Sequence, residues 1–176
     1  MSEKISGFAV HVHHDILVEW CYDYDERLEV IETDKPEHER AIRKKLFKML
    51  PPEAVAELPE QLRIACAEWV QARAEYDRAC EECNRTHAER DELIEMFLNG
   101  LIDQEYFINA VQLENYVCPY DEYNHAWAEY DRAREEWDRA YDEWPQADRE
   151  AWHARWCGCS EWNGKEIVFD EKEADR

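Results

Sequence analysis

The segment AWAEYDRAREEWDR, at residues 126–139, repeats the earlier segment ARAEYDRACEECNR, at residues 72–85, with ten identical positions of fourteen. Both copies are rich in strong helix formers and contain neither glycine nor proline. Each also places a glutamate before an arginine at helical spacing, as in Glu129 and Arg132. The repeat predicts two related helices, most simply explained by duplication of one helical unit.

The sequence around each copy extends these helices. No proline or glycine interrupts residues 60–98, and Asn99-Gly100 follows as a predicted C-cap. A short helix is expected from Asp103 to about residue 116, before Cys118-Pro119. The second long helix is predicted over residues 119–144, and Pro145 is expected to restart a final helix that ends near residue 156.

Aromatic side chains form a seam along the second long helix, at alternating steps of three and four residues. The aromatic members of this heptad seam are Tyr120, Tyr123, Trp127, Tyr130, Trp137, Tyr141 and Trp144. The same register in the first long helix selects Trp69, Tyr76, Cys80, Cys83 and His87, among others. Two seams of this length, joined by a compact connection, predict an antiparallel helical pair.

Two interpretations of the aromatic seam stay open. The rings are typical of a helix–helix core, which would make them unavailable to ligands. Alternatively, they form a stacking platform for a base or another ring-shaped ligand. Any part of the seam that one helical pair leaves uncovered would be a surface for a homodimer or another partner.

The N-terminal part of the chain has a different pattern. Residues 8–19 are β-branched and partly alternating, which predicts a strand, and residues 27–33 are predicted as a second strand of a hairpin. A basic amphipathic helix is expected from Pro36 to about residue 50, where Pro51-Pro52 ends it. Residues 166–170 are predicted as a strand that joins this hairpin.

Together these patterns predict a mainly α fold, α+β overall. Its main feature is a long antiparallel helical hairpin resembling a coiled coil, with a small N-terminal β-hairpin-plus-helix subdomain. The expected segments are 1–50 for the subdomain, 51–157 for the helical bundle, and 158–176 for a C-terminal turn, strand and tail.

The composition excludes several classes of function. The net charge of −22 disfavours direct contact with nucleic acid or with membranes, and it favours a protein partner with a basic surface. The four glycines provide no phosphate-binding loop, and none of the three serines lies in a nucleophile-elbow context. The absence of a secretory signal and of long apolar runs predicts a cytoplasmic protein, with its seven cysteines mostly reduced.

Two groups of cysteine and histidine are candidate zinc ligands. Cys80, Cys83 and His87 share one helix face, whereas His153, Cys157 and Cys159 span a helix end and the following turn; Cys118 is a further candidate. Neither group supplies four ligands at the spacing of a zinc finger. The alternative is that Cys80 and Cys83 are small hydrophobic residues of the seam, with no cofactor bound.

A third set of metal-binding residue types lies near the N-terminus. His11, His13 and Asp15 alternate along the predicted first strand and would share one face, beside His14 and Glu19. Such a face could hold a metal as hydrolases do, but it is also an ordinary pattern for a polar strand face.

Three functions follow from these patterns. The leading interpretation is a non-enzymatic acidic interaction protein. Its more specific form is an inhibitor, such as a DNA mimic from a phage or mobile element, that occupies a basic nucleic-acid-binding groove of its partner. The first alternative is a zinc-stabilised structural or scaffold protein. The second is a metal-dependent enzyme that uses the N-terminal histidines.

Overall fold

The computed structural model describes residues 4–112 and 120–169, and their contacts divide the chain into two compact units. Unit 1 comprises residues 1–64 and 140–176, and unit 2 comprises residues 65–139. Three strands are present in the described residues: β1 (Gly7–Val10), β2 (Val18–Cys21) and β3 (Lys48–Met49). The helices in the described residues are α1 (Tyr24–Thr33), α2 (Glu37–Leu46), α3 (Pro52–Ala56), α4 (Glu60–Leu98), α5 (Gln104–Gln112), α6 (Tyr120–Glu143) and α7 (Gln146–Trp156).

The stretch 8–19, predicted as one strand, instead contains most of β1, the reversal of the chain and the first half of β2. β1 and β2 pair antiparallel, with Val10 opposite Val18, and the chain reverses between them. The short strand β3 pairs with the other edge of β1, which gives the strand order β2-β1-β3. The third strand of the sheet therefore comes from residues 48–49.

Residues 27–33 are helical, so the prediction of a second strand there is wrong. Asp23 caps α1 with its side chain, which accepts hydrogen bonds from the backbone N–H groups of Asp25 and Glu26. Ile31 faces inward and is buried with Phe47 in the core of unit 1. The N-cap and this tertiary packing override the strand preference of the β-branched residues.

The C-terminal segment contributes no strand to the sheet within the described residues, which include 166–169 of the predicted 166–170. An isolated bridge pairs Trp162 with Ile167. The Ile167 N–H also donates to the carbonyl of His14, at 2.7 Å. The segment is thus fastened to the loop between β1 and β2.

The predicted helical pair is confirmed in unit 2. Trp69 contacts Trp137 with ring centroids 5.4 Å apart, and His87 lies opposite Tyr120. Residue numbers thus rise along α4 as they fall along α6, which makes the pair antiparallel. The predicted bounds of α4 match those observed, and Gly100, with a φ of 68°, ends the helix as a C-cap.

The predicted division at residues 50 and 157 stays a prediction. Cys118 and most of the connection before α6 lie outside the described residues. Among the residues that are described, none of the helices combines the length and the apolar character that a membrane crossing requires.

Candidate metal centre

Four side chains of unit 1 bring their ligating atoms together. They are His11, His153, Cys157 and Cys159, and these atoms all lie within 4.8 Å of one another. Three of them were predicted as one cluster, and His11 is the fourth. No other group of this kind occurs among residues 4–112 and 120–169.

An unusual backbone conformation directs His11 into this cluster. β1 ends at Val10, and His11 has a φ of 57°, a left-handed conformation that few residues other than glycine adopt. Its N–H still donates to the carbonyl of Leu17, at 3.0 Å. The imidazole is thereby buried, and the strand alternation that would have paired it with His13 is broken.

The other three ligands lie at the end of α7. His153 and Cys157 are four residues apart and so share one helix face. The N–H groups of Cys157 and Gly158 both donate to the carbonyl of His153, at 2.9 and 2.7 Å. Gly158 has a φ of 61°, which reverses the chain and returns Cys159 to the same side.

The contacts within the cluster are those of four inward-facing ligand atoms. The Nε2 atom of His11 lies 3.3 Å from the sulfur of Cys157 and 3.4 Å from that of Cys159. The Nε2 atom of His153 lies 3.2 Å from the Cys159 sulfur. Both imidazoles thus present the same nitrogen to the thiols, and the four side chains could hold a metal ion.

The surroundings set the protonation of these groups. Burial and, to a lesser extent, the charge of His153 lower the pKa of His11 to about 4. Burial also lowers the pKa of His153. Burial and a hydrogen bond with Cys157 raise the pKa of Cys159 to about 12. Near neutral pH both imidazoles are therefore uncharged, as metal ligation requires, and the Cys159 thiol would need a cation to become a thiolate.

Aromatic packing closes the imidazole side of the cluster. The ring of Trp162 contacts both His11 and His153, with centroid separations of 5.4 and 6.2 Å. The Nδ1 atom of His11 is buried and has no hydrogen-bond partner, so its Nε2 atom carries the polar contacts of the ring. Trp162 thus fixes the two rings mainly by apolar contact.

The predicted cluster on α4 does not assemble. Cys83 is disulfide-bonded, so it offers no thiolate. His87 contacts the hydroxyl of Tyr120, at 3.3 Å, and Cys80 hydrogen-bonds with Tyr76. These side chains belong to the packing of the helical pair, and Cys118 lies outside the described residues.

The remaining N-terminal histidines also lie apart from the centre. Nδ1 of His13 is 2.5 Å from the carboxylate of Glu19, and that of His14 is 3.6 Å from Asp15. Both side chains are half-exposed, whereas His11 is buried. The predicted shared face of His11, His13 and Asp15 is therefore absent.

The aromatic seam is buried at one end of α6 and exposed at the other. Trp137, Tyr141 and Trp144 are buried, as is Trp69 on α4. By contrast, Trp127 is 47% exposed and Tyr120 is 55% exposed. Between these ends, the half-buried Tyr76 contacts the rings of three neighbours, Tyr123, Trp127 and Tyr130. The seam is thus mainly packing material, with an exposed aromatic end.

Unit 2 also has a groove of about 280 Å³ along its helical pair. Four glutamates line it, together with Gln71, Ala72, Arg132 and Ala133: Glu68, Glu75, Glu129 and Glu136. This surface adds a concave acidic feature that the sequence pattern alone did not indicate.

Comparison of the chain with models of known protein families, with curated proteins and with solved structures gives no match.

Proposed function

We propose that the protein is a non-enzymatic module whose unit 1 is stabilised by a structural zinc ion. The proposal depends on one observation, the convergence of His11, His153, Cys157 and Cys159 from distant parts of the sequence. Zinc in structural sites takes four nitrogen or sulfur ligands in tetrahedral geometry, and this set supplies two of each.

The distances support zinc. Bonds of about 2.3 Å to sulfur and about 2.05 Å to nitrogen, at tetrahedral angles, place sulfur about 3.6 Å from nitrogen. The observed sulfur–nitrogen separations are 3.2, 3.3 and 3.4 Å. An outward movement of a few tenths of an ångström would admit the ion. Mixed thiolate and imidazole ligands also favour zinc over magnesium or calcium, which prefer oxygen.

The arrangement favours a structural over a catalytic role. A catalytic zinc keeps one position for water or substrate, whereas here four protein side chains would fill the coordination sphere. The imidazoles are buried and Trp162 covers them. The ion would fasten the β1–β2 loop to the end of α7, two segments separated by more than a hundred residues.

Metal content tests this proposal. We expect the purified protein, analysed by native mass spectrometry after zinc loading and desalting, to retain about one zinc ion per chain. His11→Asn should abolish this retention, because asparagine tolerates positive φ but removes the imidazole. His13→Asn is the matched control and should retain the ion. The native mass also reports whether the chain forms a homodimer.

Two results would contradict the structural zinc centre. One is zinc retention well below half an equivalent in the wild-type protein. The other is equal loss of zinc in both variants, which would support the alternative of a metal site shared by His11 and His13.

A second proposed function is binding of a basic protein partner through unit 2. Residues 65–139 carry nineteen carboxylates and seven arginines but no lysine, a net charge of −12. The groove lined by Glu68, Glu75, Glu129 and Glu136 concentrates part of this charge. Such a surface complements the basic groove of a nucleic-acid-binding protein, and the protein would act as a cytoplasmic inhibitor that mimics DNA.

Charge-matched variants test this second function. Partners captured from a lysate at low salt should include basic nucleic-acid-binding proteins. The partner's affinity should fall at least tenfold when the four groove glutamates become glutamine. The control neutralises four exposed glutamates outside the groove, Glu81, Glu92, Glu95 and Glu135, with the same change in net charge. Equal losses in both variants would argue against the groove as the binding surface.

A further inference from the structure

We propose that the zinc centre is an oxidation-sensitive switch, in which a hydroperoxide converts Cys157 and Cys159 to a disulfide and releases the ion. This inference rests on the proposed zinc centre and adds regulation to it. It is carried by two observations, the unequal exposure of the four ligands and the close approach of the two sulfurs.

The two kinds of ligand differ in exposure. His11 and His153 are buried, with only 1% and 7% of their surface exposed, whereas Cys157 and Cys159 are half-buried. Gly158, between the two cysteines, is exposed. A small oxidant can therefore approach the sulfur side of the centre without unfolding of unit 1.

The turn at Gly158 also brings the sulfurs close to each other. Cys157 and Cys159 are in hydrogen-bonding contact, and their ligand atoms lie within the 4.8 Å span of the cluster. Residues two apart in a turn have Cα separations within the range of about 4.4–6.8 Å that disulfides span. Cys21, Cys66 and Cys80 do not belong to this cluster.

The chemistry needs only hydrogen peroxide or another hydroperoxide. One thiolate attacks a peroxide oxygen, breaking the O–O bond to give a sulfenic acid and hydroxide. The second thiolate then attacks the sulfenic sulfur, forming the S–S bond and releasing a second hydroxide. The two sulfurs lose two electrons, which reduce the peroxide. Two imidazoles remain, fewer than the four ligands that hold structural zinc, so the ion leaves.

Release of the ion would loosen the C-terminal segment of unit 1. Without it, residues 157–169 are held by the contacts of Trp162 with the imidazoles, by the hydrogen bond from Ile167 to His14, and by the ion pair of Glu161 with Lys45, at 2.7 Å. The switch would thus regulate how firmly this segment is attached to the N-terminal hairpin.

The experiment treats the zinc-loaded full chain with hydrogen peroxide and follows free zinc with a chromophoric chelator. We expect about one zinc ion per chain to be released as two thiols are lost, with a disulfide between Cys157 and Cys159 in peptide mapping. A thiol reductant and added zinc should restore the bound ion. Cys80→Ser, which removes a free cysteine outside the centre, should release zinc at the same rate as the wild type.

The outcomes separate the switch from the zinc centre. A chain that holds zinc but does not release it on oxidation, or that releases it with oxidation elsewhere, overturns the switch and leaves the zinc centre intact. A reduced chain that holds no zinc overturns both.

Discussion

Two groups of cysteine and histidine in this chain have different structural roles. Cys80, Cys83 and His87 lie at regular spacing on α4, yet they contribute to the helical pair of unit 2. His153, Cys157 and Cys159 lie where α7 ends, and there they converge with a histidine from the β1–β2 loop. The difference shows that residues on one helix face lie in a row along the helix. Where the regular backbone ends, side chains can instead converge on one position from several directions.

Removal of zinc should have the largest effect, and only on unit 1. With free zinc about a thousandfold above its dissociation constant, binding contributes about 4 kcal/mol to the stability of the unit that holds the ion. Hydrogen exchange with and without a chelator measures this contribution. The amide of Ile167, bonded to His14, should lose protection.

Unit 2 provides the internal control for zinc removal. Amides of α4 and α6 around Trp69 and Trp137 should keep their protection, because none of the four ligands lies in unit 2. Equal deprotection of both units would show that the proposed centre is not the local stabiliser we describe.

Trp137→Ala should have the next largest effect, and only on unit 2. Trp137 is 3% exposed and contacts Trp69, so its truncation leaves a cavity and should cost about 3 kcal/mol in urea unfolding. Trp127→Ala is the matched control, since Trp127 lies on the same helix and in the same seam but is 47% exposed. It should cost about 1 kcal/mol or less. Similar costs would mean that burial does not decide how much each ring of the seam contributes to stability.

The fold was predictable where the sequence is periodic. The heptad spacing and the absence of breakers fixed α4 at Glu60–Leu98 and paired it antiparallel with α6, because these features act over a few residues. The segment 27–33 failed for the opposite reason. Its β-branched residues favour a strand, but Asp23 as N-cap and the burial of Ile31 against the core favour helix.

The candidate site was predictable in three residues of four. His153, Cys157 and Cys159 are close in sequence and so were grouped at once. His11 was assigned to a strand face with His13, and nothing local signals that its backbone turns to a φ of 57°. That turn depends on how the β1–β2 loop packs against α7, a contact between residues more than 140 positions apart.

A smaller effect should follow from Tyr141→Phe in unit 1. The Tyr141 hydroxyl accepts a hydrogen bond from the backbone N–H of Leu17, at 2.8 Å in a buried position. Phenylalanine leaves this N–H without its acceptor, which should lower the free energy of unfolding by about 1–2 kcal/mol. Tyr120→Phe, at a residue that is 55% exposed in unit 2, should change it by less than about 0.5 kcal/mol. An unchanged free energy of unfolding in Tyr141→Phe would mean that water replaces the hydroxyl as the acceptor of this hydrogen bond.

The smallest effect on stability is expected from alanine substitution of the two glycines that end α4 and α7. Gly100 and Gly158 have φ values of 68° and 61°, so alanine at either position should cost about 1 kcal/mol in stability. The consequences for zinc should differ, because Gly158 alone orients two ligands. Its added Cβ would lie 3.4 Å from the carbonyl of Ala154, and relief of the strain would move Cys157 away from Cys159.

We therefore expect Gly158→Ala to weaken zinc binding about tenfold in competition with a chromophoric chelator, and Gly100→Ala to leave it unchanged. Unchanged affinity in both variants would mean that the sulfurs adopt their positions on metal binding, without help from the turn. The irregular backbone would then be a consequence of ligation. Metal binding, and not the fold of the metal-free chain, would be the cause of the difference between the two cysteine groups.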